Sequence, residues 1–206
     1  MHLNLQRLSD AELVSEPFEY CVVPGFLGPD SVRRINETYP TIDKGGSFPI
    51  DSLDTGMAIK EVIDELDGAA FETAIAEKFG VDLDGRPKMY SLRGYTRAKD
   101  GRLHTDSKDK IITVLLYLNE EWPHSGGRLR LLRNGHDVDD YVDEICPDNG
   151  TLLVFRRSDN SWHGHHPFEG PRRSLQMNWM TNEGAKGFHK LRHSLSAAVK
   201  KLTANG

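Results

Sequence analysis

The spacing of the apolar residues changes once along the chain, close to Pro87. Before that point, apolar positions recur mainly at the interval of about 3.6 residues that gives a helix one buried face. We expect a capped helix to start within 9–13, a short strand over 20–23, and a loop over 45–49. Helices are expected over 29–38, 58–66 and 69–79. Residues 1–87 are therefore predicted to form a mainly helical support.

After Pro87 the apolar residues alternate with polar ones, which is the pattern of strands that bury one face. Clusters of Gly, Pro, Asp and Asn separate the alternating segments, which cover 89–95, 110–118, 128–132, 151–155 and 173–180. A succession of short antiparallel strands favours a sandwich or a small barrel, such as a jelly roll. The basic amphipathic segment 186–202 predicts a closing helix. Helices followed by strands make the predicted fold class α+β.

Length, charge and cysteine content narrow the class of protein. A chain of 206 residues is expected to be a single domain, with helical support 1–87, jelly-roll core 88–182 and C-terminal helix 183–206. The net charge of −5 disfavours nucleic acid or an anionic membrane as a partner. The longest nearly apolar stretch, 111–118, is far shorter than the ~20 residues that cross a bilayer. Two cysteines and the lack of a signal-peptide pattern predict a cytoplasmic protein without a disulfide framework.

Two short groups of residues carry the candidate metal chemistry. His104 and Asp106 project from the same side of an extended segment, because residues two apart in a strand share a face. A histidine cluster over 163–166 lies at the edge of another predicted strand. Two histidines and one carboxylate, with open positions opposite them, form the facial triad of non-haem Fe(II) oxygenases. A structural zinc site would be closed instead. Since His163 and His165 share a strand face, either of them fits as the second histidine.

An arginine and a tyrosine add a candidate carboxylate site. Arg173 lies ten residues after His163, inside a strand-like segment. Its planar guanidinium can pair with a carboxylate through two hydrogen bonds. Tyr117 lies thirteen residues after His104, and its hydroxyl can reach a second carboxylate oxygen. An ordinary core aromatic is the alternative interpretation of Tyr117.

Further motifs occur in a fixed order over the second half of the chain. They are Tyr95, His104-Thr105-Asp106, Tyr117-Leu118-Asn119 with Trp122, Gly126-Gly127-Arg128-Leu129-Arg130, His163, Pro167, Arg173 and Trp179. With this order and spacing, residues 88–182 resemble the Fe(II)/2-oxoglutarate-dependent dioxygenases, specifically the prolyl-4-hydroxylase-like branch. The Tyr-Leu-Asn-x-x-Trp stretch followed by Gly-Gly-x-Leu-Arg is most typical of that branch. The N-terminal third carries no such resemblance.

The resemblance implies a fold and a set of site residues. The implied fold is a double-stranded β-helix, a cupin-like jelly roll with the N-terminal helices packed on one sheet. His104, Asp106 and His163 are implied to be the catalytic ligands of Fe(II). Arg173 and Tyr117 are implied to bind the distal carboxylate of 2-oxoglutarate. Tyr95, just before the His-x-Asp motif, is implied to line the same pocket.

The resemblance also implies an activity. It is hydroxylation of an unactivated C–H bond with O2, coupled to decarboxylation of 2-oxoglutarate to succinate and CO2. Asp106 favours hydroxylation over halogenation, because related halogenases have a small residue where hydroxylases keep the carboxylate. The resemblance leaves room for ascorbate as well. The competing interpretations are a non-catalytic jelly-roll binding module and a cupin-like metalloenzyme that uses no 2-oxoglutarate.

Spacing sets the preference at two ambiguous positions. His163 is preferred to His165 because it keeps the ten-residue interval to Arg173 and places Pro167 where relatives have it. Arg172 and Arg173 are adjacent, so only one of them can face the pocket. Arg173 is preferred because it lies six residues before Trp179, as in the family.

The substrate is the least constrained property. The branch contains enzymes that act on prolyl residues of proteins and others that act on free small molecules, so the substrate is expected to be a small molecule or a peptidyl residue. The loops 44–56, 97–102 and 157–160 are expected to meet it, and the basic residues of the latter two loops favour a polar or anionic compound. The protein is expected to be a monomer or a homodimer.

Overall fold

Two antiparallel sheets form the centre of the computed structural model, which describes residues 2–182. The strands are β1 (Tyr20–Val23), β2 (Phe48–Pro49), β3 (Lys88–Thr96), β4 (Lys110–Tyr117), β5 (Leu129–Leu132), β6 (Tyr141–Ile145), β7 (Leu152–Arg156), β8 (His163–Gly164) and β9 (Gly170–Met180). The larger sheet has the strand order β1-β7-β4-β9-β3-β2, and the smaller sheet has the order β6-β5-β8. This architecture confirms the predicted α+β class and the double-stranded β-helix.

Four α-helices and one short 3₁₀ turn accompany the sheets in the described part of the chain. They are α1 (Leu5–Asp10), α2 (Pro29–Glu37), the turn Ile50–Ser52, α3 (Met57–Asp67) and α4 (Ala69–Phe79). Pro29 opens α2, where its fixed φ suits the first helical turn and its missing N–H costs nothing. Gly80 ends α4 in the left-handed conformation at φ +58°. The closing helix predicted over 186–202 lies outside the described residues.

The period-two pattern of the long strands separates two apolar layers. Residues at alternate positions of β4, β7 and β9 point to the helices, and they include Val114, Val154 and Met177. The residues between them point to the small sheet, and Tyr117 and Phe155 belong to this second layer. Since one face of the large sheet packs on helices and the other on a sheet, both faces are buried. The space between the two sheets is where the site described below lies.

Phe71 belongs to the helix-facing apolar layer, and our first prediction concerns its replacement by alanine. Its ring is fully buried and stacks on Trp179 of β9, with ring centres 5.9 Å apart. Phe71→Ala is expected to lower the free energy of unfolding by about 3–5 kcal/mol, because it removes apolar contact and leaves a cavity. Met57→Ala, at a side chain 68% exposed, is the control and is expected to change it by less than about 1 kcal/mol. Urea unfolding measures both, and equal effects would contradict this packing.

Some elements differ from the sequence-based prediction. The helix start expected within 9–13 is wrong, because α1 ends at Asp10. The Asn4 side chain caps α1 by accepting a hydrogen bond from the Arg7 N–H at 3.0 Å. The strands β2, β6 and β8 were not predicted. β2 and β8 have only two residues each, and β6 carries two acidic residues. Within residues 2–182, no helix is long and apolar enough to span a membrane.

Candidate active site

A cavity of about 260 Å³ lies between the two sheets. Its floor is formed by the residues of the large sheet that point away from the helices, and its rim by β8 and the loop between β3 and β4. The lining residues used below are Arg93, Gly101, His104, Asp106, Lys110, Thr113, Tyr117, His163, His165, Arg172, Ser174 and Gln176. All three predicted metal ligands are therefore in one cavity.

His104, Asp106 and His163 come together although they are far apart in sequence. Each offers one ligand atom, and these atoms all lie within 4.8 Å of one another. His104 and His163 exchange two backbone N–H···O hydrogen bonds of 3.0 Å each, so the main chain fixes the position of both imidazoles. Asp106 follows two residues after His104 on the same loop. These three side chains can therefore bind one metal ion from one side of the ion.

The hydrogen bonds of the two imidazoles determine which nitrogen is free. The Nδ1 of His104 lies 2.8 Å from the Arg102 carbonyl oxygen, and that of His163 lies 2.9 Å from the Ser161 carbonyl oxygen. Because a carbonyl oxygen only accepts, both Nδ1 atoms carry the proton, and both Nε2 lone pairs are available to a metal. Burial, and then the neighbouring His104, lower the pKa of His163 to about 4. His163 is thus neutral at pH 7, as a metal ligand must be.

Asp106 is a buried carboxylate that stays ionised. It is 8% exposed, and its Oδ1 accepts a hydrogen bond from Lys110 Nζ at 2.8 Å. Its Oδ2 accepts one from the Thr113 hydroxyl at 2.6 Å. Burial alone would raise the pKa of Asp106, but the charge of Lys110, with these hydrogen bonds, brings the pKa below its usual value. Lys110 and Thr113 therefore hold the carboxylate both charged and oriented.

His165 lines the same cavity without joining this group of ligand atoms. Its Nδ1 lies 2.7 Å from the His166 carbonyl oxygen, and its ring packs on Gly101. Burial, and then the charge of Arg172, lower the pKa of His165 to about 4. Of the two histidines that the sequence left open, the structure groups His163 with His104 and Asp106.

The His165 ring packs directly against Gly101, which has no side chain. Our second prediction concerns the replacement of Gly101 by alanine. Gly101 has φ +80°, and a Cβ there would lie 2.2 Å from the His165 ring. Gly85 is the matched control, because it has φ +63° and nothing within 4 Å of its Cβ position. Gly85→Ala is expected to cost about 1–2 kcal/mol of unfolding free energy for the left-handed backbone. Gly101→Ala is expected to cost about 1–3 kcal/mol more, because of the overpacking. Equal losses in urea unfolding would show that the close approach carries no energy.

The structure shifts the expected arginine by one position. Arg172 is 6% exposed, lines the cavity, and donates a hydrogen bond from Nε to the Gly127 carbonyl oxygen at 2.8 Å. Arg173 lies on the helix side of β9, where its Nη1 donates to Asn36 Oδ1 at 2.6 Å and its guanidinium covers the Tyr39 ring. The preference for Arg173 is therefore corrected to Arg172. The physical reason is that residues of odd number on β9 face the helices, as Trp179 does.

Tyr117 lies in the cavity beside Arg172, whose guanidinium carbon is 5.2 Å from the centre of its ring. In the described part of the chain, the buried hydroxyls of Tyr117 and of Ser174 have no hydrogen-bond partner, although Arg172 is close by. Burial raises the pKa of Tyr117, so its hydroxyl keeps its proton and can donate. Unpaired buried hydroxyls cost about 1–3 kcal/mol each, which makes this end of the cavity fit a polar ligand.

Tyr95 does not line the cavity. The pairing of β3 with β9 is irregular between Arg93 and Tyr95, and on either side of this bulge Arg93 and Thr96 face the cavity. The Tyr95 hydroxyl instead lies 3.5 Å from Glu169 at the surface. The expectation that Tyr95 lines the pocket is therefore corrected, because a bulge reverses the side to which the following residue points. Sequence reasoning also missed Arg93 and Lys110, which carry no motif.

A family model described as the 2OG-Fe(II) oxygenase superfamily matches residues 90–181. This part of the chain is similar to the superfamily. A 2OG-Fe(II) oxygenase is an oxidoreductase, and the family implies Fe(II), 2-oxoglutarate and O2. The matched region contains the whole triad, Tyr117 and Arg172. A comparison with curated protein sequences finds no significant match.

Solved structures share the fold of this chain. A prolyl-4-hydroxylase of Pseudomonas putida is 23% identical, with a TM-score of 0.58 over 88% of this chain and 95% of that one. A prolyl hydroxylase of Trichoplax adhaerens, in complex with a peptide fragment of hypoxia inducible factor, is 17% identical, with a TM-score of 0.54 over 80% and 84%. A viral collagen prolyl hydroxylase of Paramecium Bursaria Chlorella virus-1 is also 17% identical, with a TM-score of 0.54 over 84% and 95%. At these identities the likeness shows a prolyl hydroxylase-like fold.

Proposed function

We propose that this 2OG-Fe(II) oxygenase hydroxylates an unactivated C–H bond of its substrate and converts 2-oxoglutarate to succinate and CO2. One observation carries the proposal: a triad of metal-ligand type and a buried, unsatisfied carboxylate site share one cavity. A cupin-like metalloenzyme that does not use 2-oxoglutarate would have no need of the second feature. A binding module that had lost its chemistry would have no need of the first.

The donor set fits Fe(II). The Nε2 atoms of His104 and His163 and one oxygen of Asp106 make the combination of two histidines and a carboxylate that leaves coordination positions open. When bound, the iron supplies the redox chemistry that activates O2. Lys110 and Thr113 keep Asp106 ionised and fix its orientation, while the carbonyls of Arg102 and Ser161 fix the two imidazole rings. These contacts build the triad before any ligand arrives.

The inner end of the cavity fits the distal carboxylate of 2-oxoglutarate. Arg172 has its Nε held by Gly127, which leaves the rest of its guanidinium to form a charge-assisted pair. The Tyr117 and Ser174 hydroxyls can donate to the same carboxylate, which would satisfy two groups that otherwise lack partners. Because all three side chains are buried, the pair would form away from water, where it is stronger.

The test is a search for product formation. The protein is incubated aerobically with Fe(II), 2-oxoglutarate, chloride and a cell extract that has been separated into small-molecule and peptide fractions. We expect succinate to form in one fraction, together with a product heavier by one oxygen atom in mass spectrometry. Asp106→Ala is the control. The proposal is wrong if succinate does not exceed the level of that variant, or if the product has gained chlorine.

The fraction that supports turnover also separates two substrate classes. Turnover in the peptide fraction would assign a peptidyl substrate, the class to which the peptide bound by the Trichoplax adhaerens prolyl hydroxylase belongs. Turnover in the small-molecule fraction would assign a free compound. The cavity is lined by basic and polar side chains, which suit a small charged compound, so we favour the small molecule.

A further inference from the structure

A second arginine faces the cavity without a partner. Arg93 of β3 lies opposite Ser174 of β9 and lines the same cavity as Arg172. Among residues 2–182, no group accepts a hydrogen bond from its guanidinium, and no carboxylate forms an ion pair with it. The acidic groups near it are already engaged. Asp100 accepts two hydrogen bonds from the Arg97 guanidinium, at 2.9 and 3.2 Å, and Asp106 is paired with Lys110.

The two arginines are close enough to repel each other. Burial, and then the charge of Arg172, lower the pKa of Arg93. A guanidinium nevertheless keeps its proton in proteins, so the cavity holds two like charges that water screens poorly. Arg172 finds its counter-charge in the distal carboxylate under the proposed function. Arg93 then still lacks one.

Arg93 also lines a second cavity, called here the second hollow. This hollow has a volume of about 210 Å³ and shares Arg93, Lys110 and Gln176 with the cavity. Its other walls come from the segment around β2, from the first half of β3 and from β9, and they are Ser47, Pro49, Met89, Tyr90, Ser91 and Asn178. A molecule in this hollow would contact Arg93, Lys110 and Gln176, which also line the cavity that contains the metal ligands. The wall includes part of loop 44–56, which the sequence predicted to meet the substrate.

The cavity and the second hollow, taken together, carry an excess of positive charge. Their lining contains the cations Arg93, Arg172 and Lys110, against the single carboxylate of Asp106. Fe(II) and doubly negative 2-oxoglutarate cancel each other, so the positive excess persists when both are bound. Excess buried cations attract an anion of matching size.

We propose that Arg93 binds an oxyanion, a carboxylate or a phosphate, of the primary substrate, so that the enzyme oxidises small anionic molecules that occupy the second hollow. The inference rests on the proposed function, since that function assigns Arg172 to 2-oxoglutarate. Arg93 is then a specificity-determining residue that selects the charge of the substrate.

The test uses simple anions as probes of the loaded protein. The protein is saturated with Mn(II) and 2-oxoglutarate, which bind without turnover, and then titrated with acetate, inorganic phosphate or neutral acetamide. Paramagnetic broadening of the acetate proton and phosphate phosphorus signals reports binding near the metal. We expect the signals of acetate or phosphate to broaden and those of acetamide to stay sharp. The anion that binds more tightly identifies the anionic group of the substrate.

The variants separate Arg93 from other causes of anion binding. Arg93→Gln is expected to weaken anion binding about 10- to 100-fold, and Arg93→Lys to weaken it less. Arg156→Gln is the control, because Arg156 is exposed and paired with Glu19 on a different part of the surface. It is expected to bind anions as the wild type does. If Arg93→Gln does not fold, Arg93→Lys is compared with Arg156→Lys instead.

Four results would contradict the inference or the proposed function on which it rests. Anion binding that is absent in the wild type, or that persists in Arg93→Gln, would show that Arg93 does not bind a substrate anion. A loss of 2-oxoglutarate affinity in Arg93→Gln as large as that in Arg172→Gln would assign Arg93 to the co-substrate, while the proposed function would stand. A wild-type protein that binds Mn(II) but no 2-oxoglutarate would instead contradict the proposed function itself.

Discussion

Asp106→Ala is expected to abolish metal-dependent turnover of 2-oxoglutarate and to weaken Fe(II) binding by about 100-fold or more. Asp106 is the one carboxylate in the group of ligand atoms, and its pKa lies below the usual value, so it offers a full negative charge to a cation. The variant leaves two imidazoles and the positive Lys110, without an anionic ligand, which is a poor environment for a divalent ion. Isothermal titration with Fe(II) under anaerobic conditions measures the affinity.

Two further variants make this result specific. Asp106→Asn keeps the shape of the side chain and removes its charge, so it reports loss of the ligand without a cavity. Asp109→Ala removes an exposed carboxylate three residues away, which accepts a hydrogen bond from Ser107, and it is expected to leave Fe(II) binding unchanged. Full turnover in Asp106→Ala or Asp106→Asn would refute the assignment of the triad.

Arg172→Gln is expected to raise the concentration of 2-oxoglutarate needed for half-maximal turnover about 10- to 100-fold. A hydrogen-bonded pair with a charged group contributes about 1.5–3 kcal/mol, and each 1.4 kcal/mol is about tenfold in affinity. Arg173→Gln provides a matched control on the neighbouring residue, because Arg173 binds Asn36 on the helix side of the sheet. Its requirement for 2-oxoglutarate is expected to match the wild type. The reverse pattern would place β9 one residue out of register with our structure.

The preference for Arg173 over Arg172 was wrong because it used the spacing between residues and not the face of the strand on which each residue lies. Counting residues from His163 or back from Trp179 fixes a distance along the chain, whereas strand geometry fixes a side. Trp179 packs on Phe71 beneath the helices, and Arg173 has the same parity on β9. A bulky apolar residue of a strand covered by helices thus indicates that an arginine six positions earlier faces the helices too. This alternation is present in the sequence, and it predicts that Arg172, rather than Arg173, faces the cavity.

Other parts of the site could not be read from the sequence. The bulge between Arg93 and Tyr95 changes which residues face the cavity. Gly94 lies within this bulge, and a Cβ there would lie 2.5 Å from Ile42. That contact joins segments far apart in the chain. Arg93 likewise gives no sequence signal, because a missing partner is a property of the folded state. Residue types predicted the triad, while the backbone bridge between His104 and His163 became visible only in three dimensions.

Anaerobic titration with Fe(II) and then 2-oxoglutarate tests the central claim, that one cavity holds both, most directly. Chelation of the keto acid by the metal gives a visible charge-transfer band. We predict this band in the wild type and in His165→Ala, and its loss in His104→Ala, which removes an exposed ligand with little effect on the core. Iron binding without the band would favour a cupin-like metalloenzyme, and binding of neither would favour a non-catalytic jelly roll. Either result, or a band that survives in His104→Ala, would contradict the account.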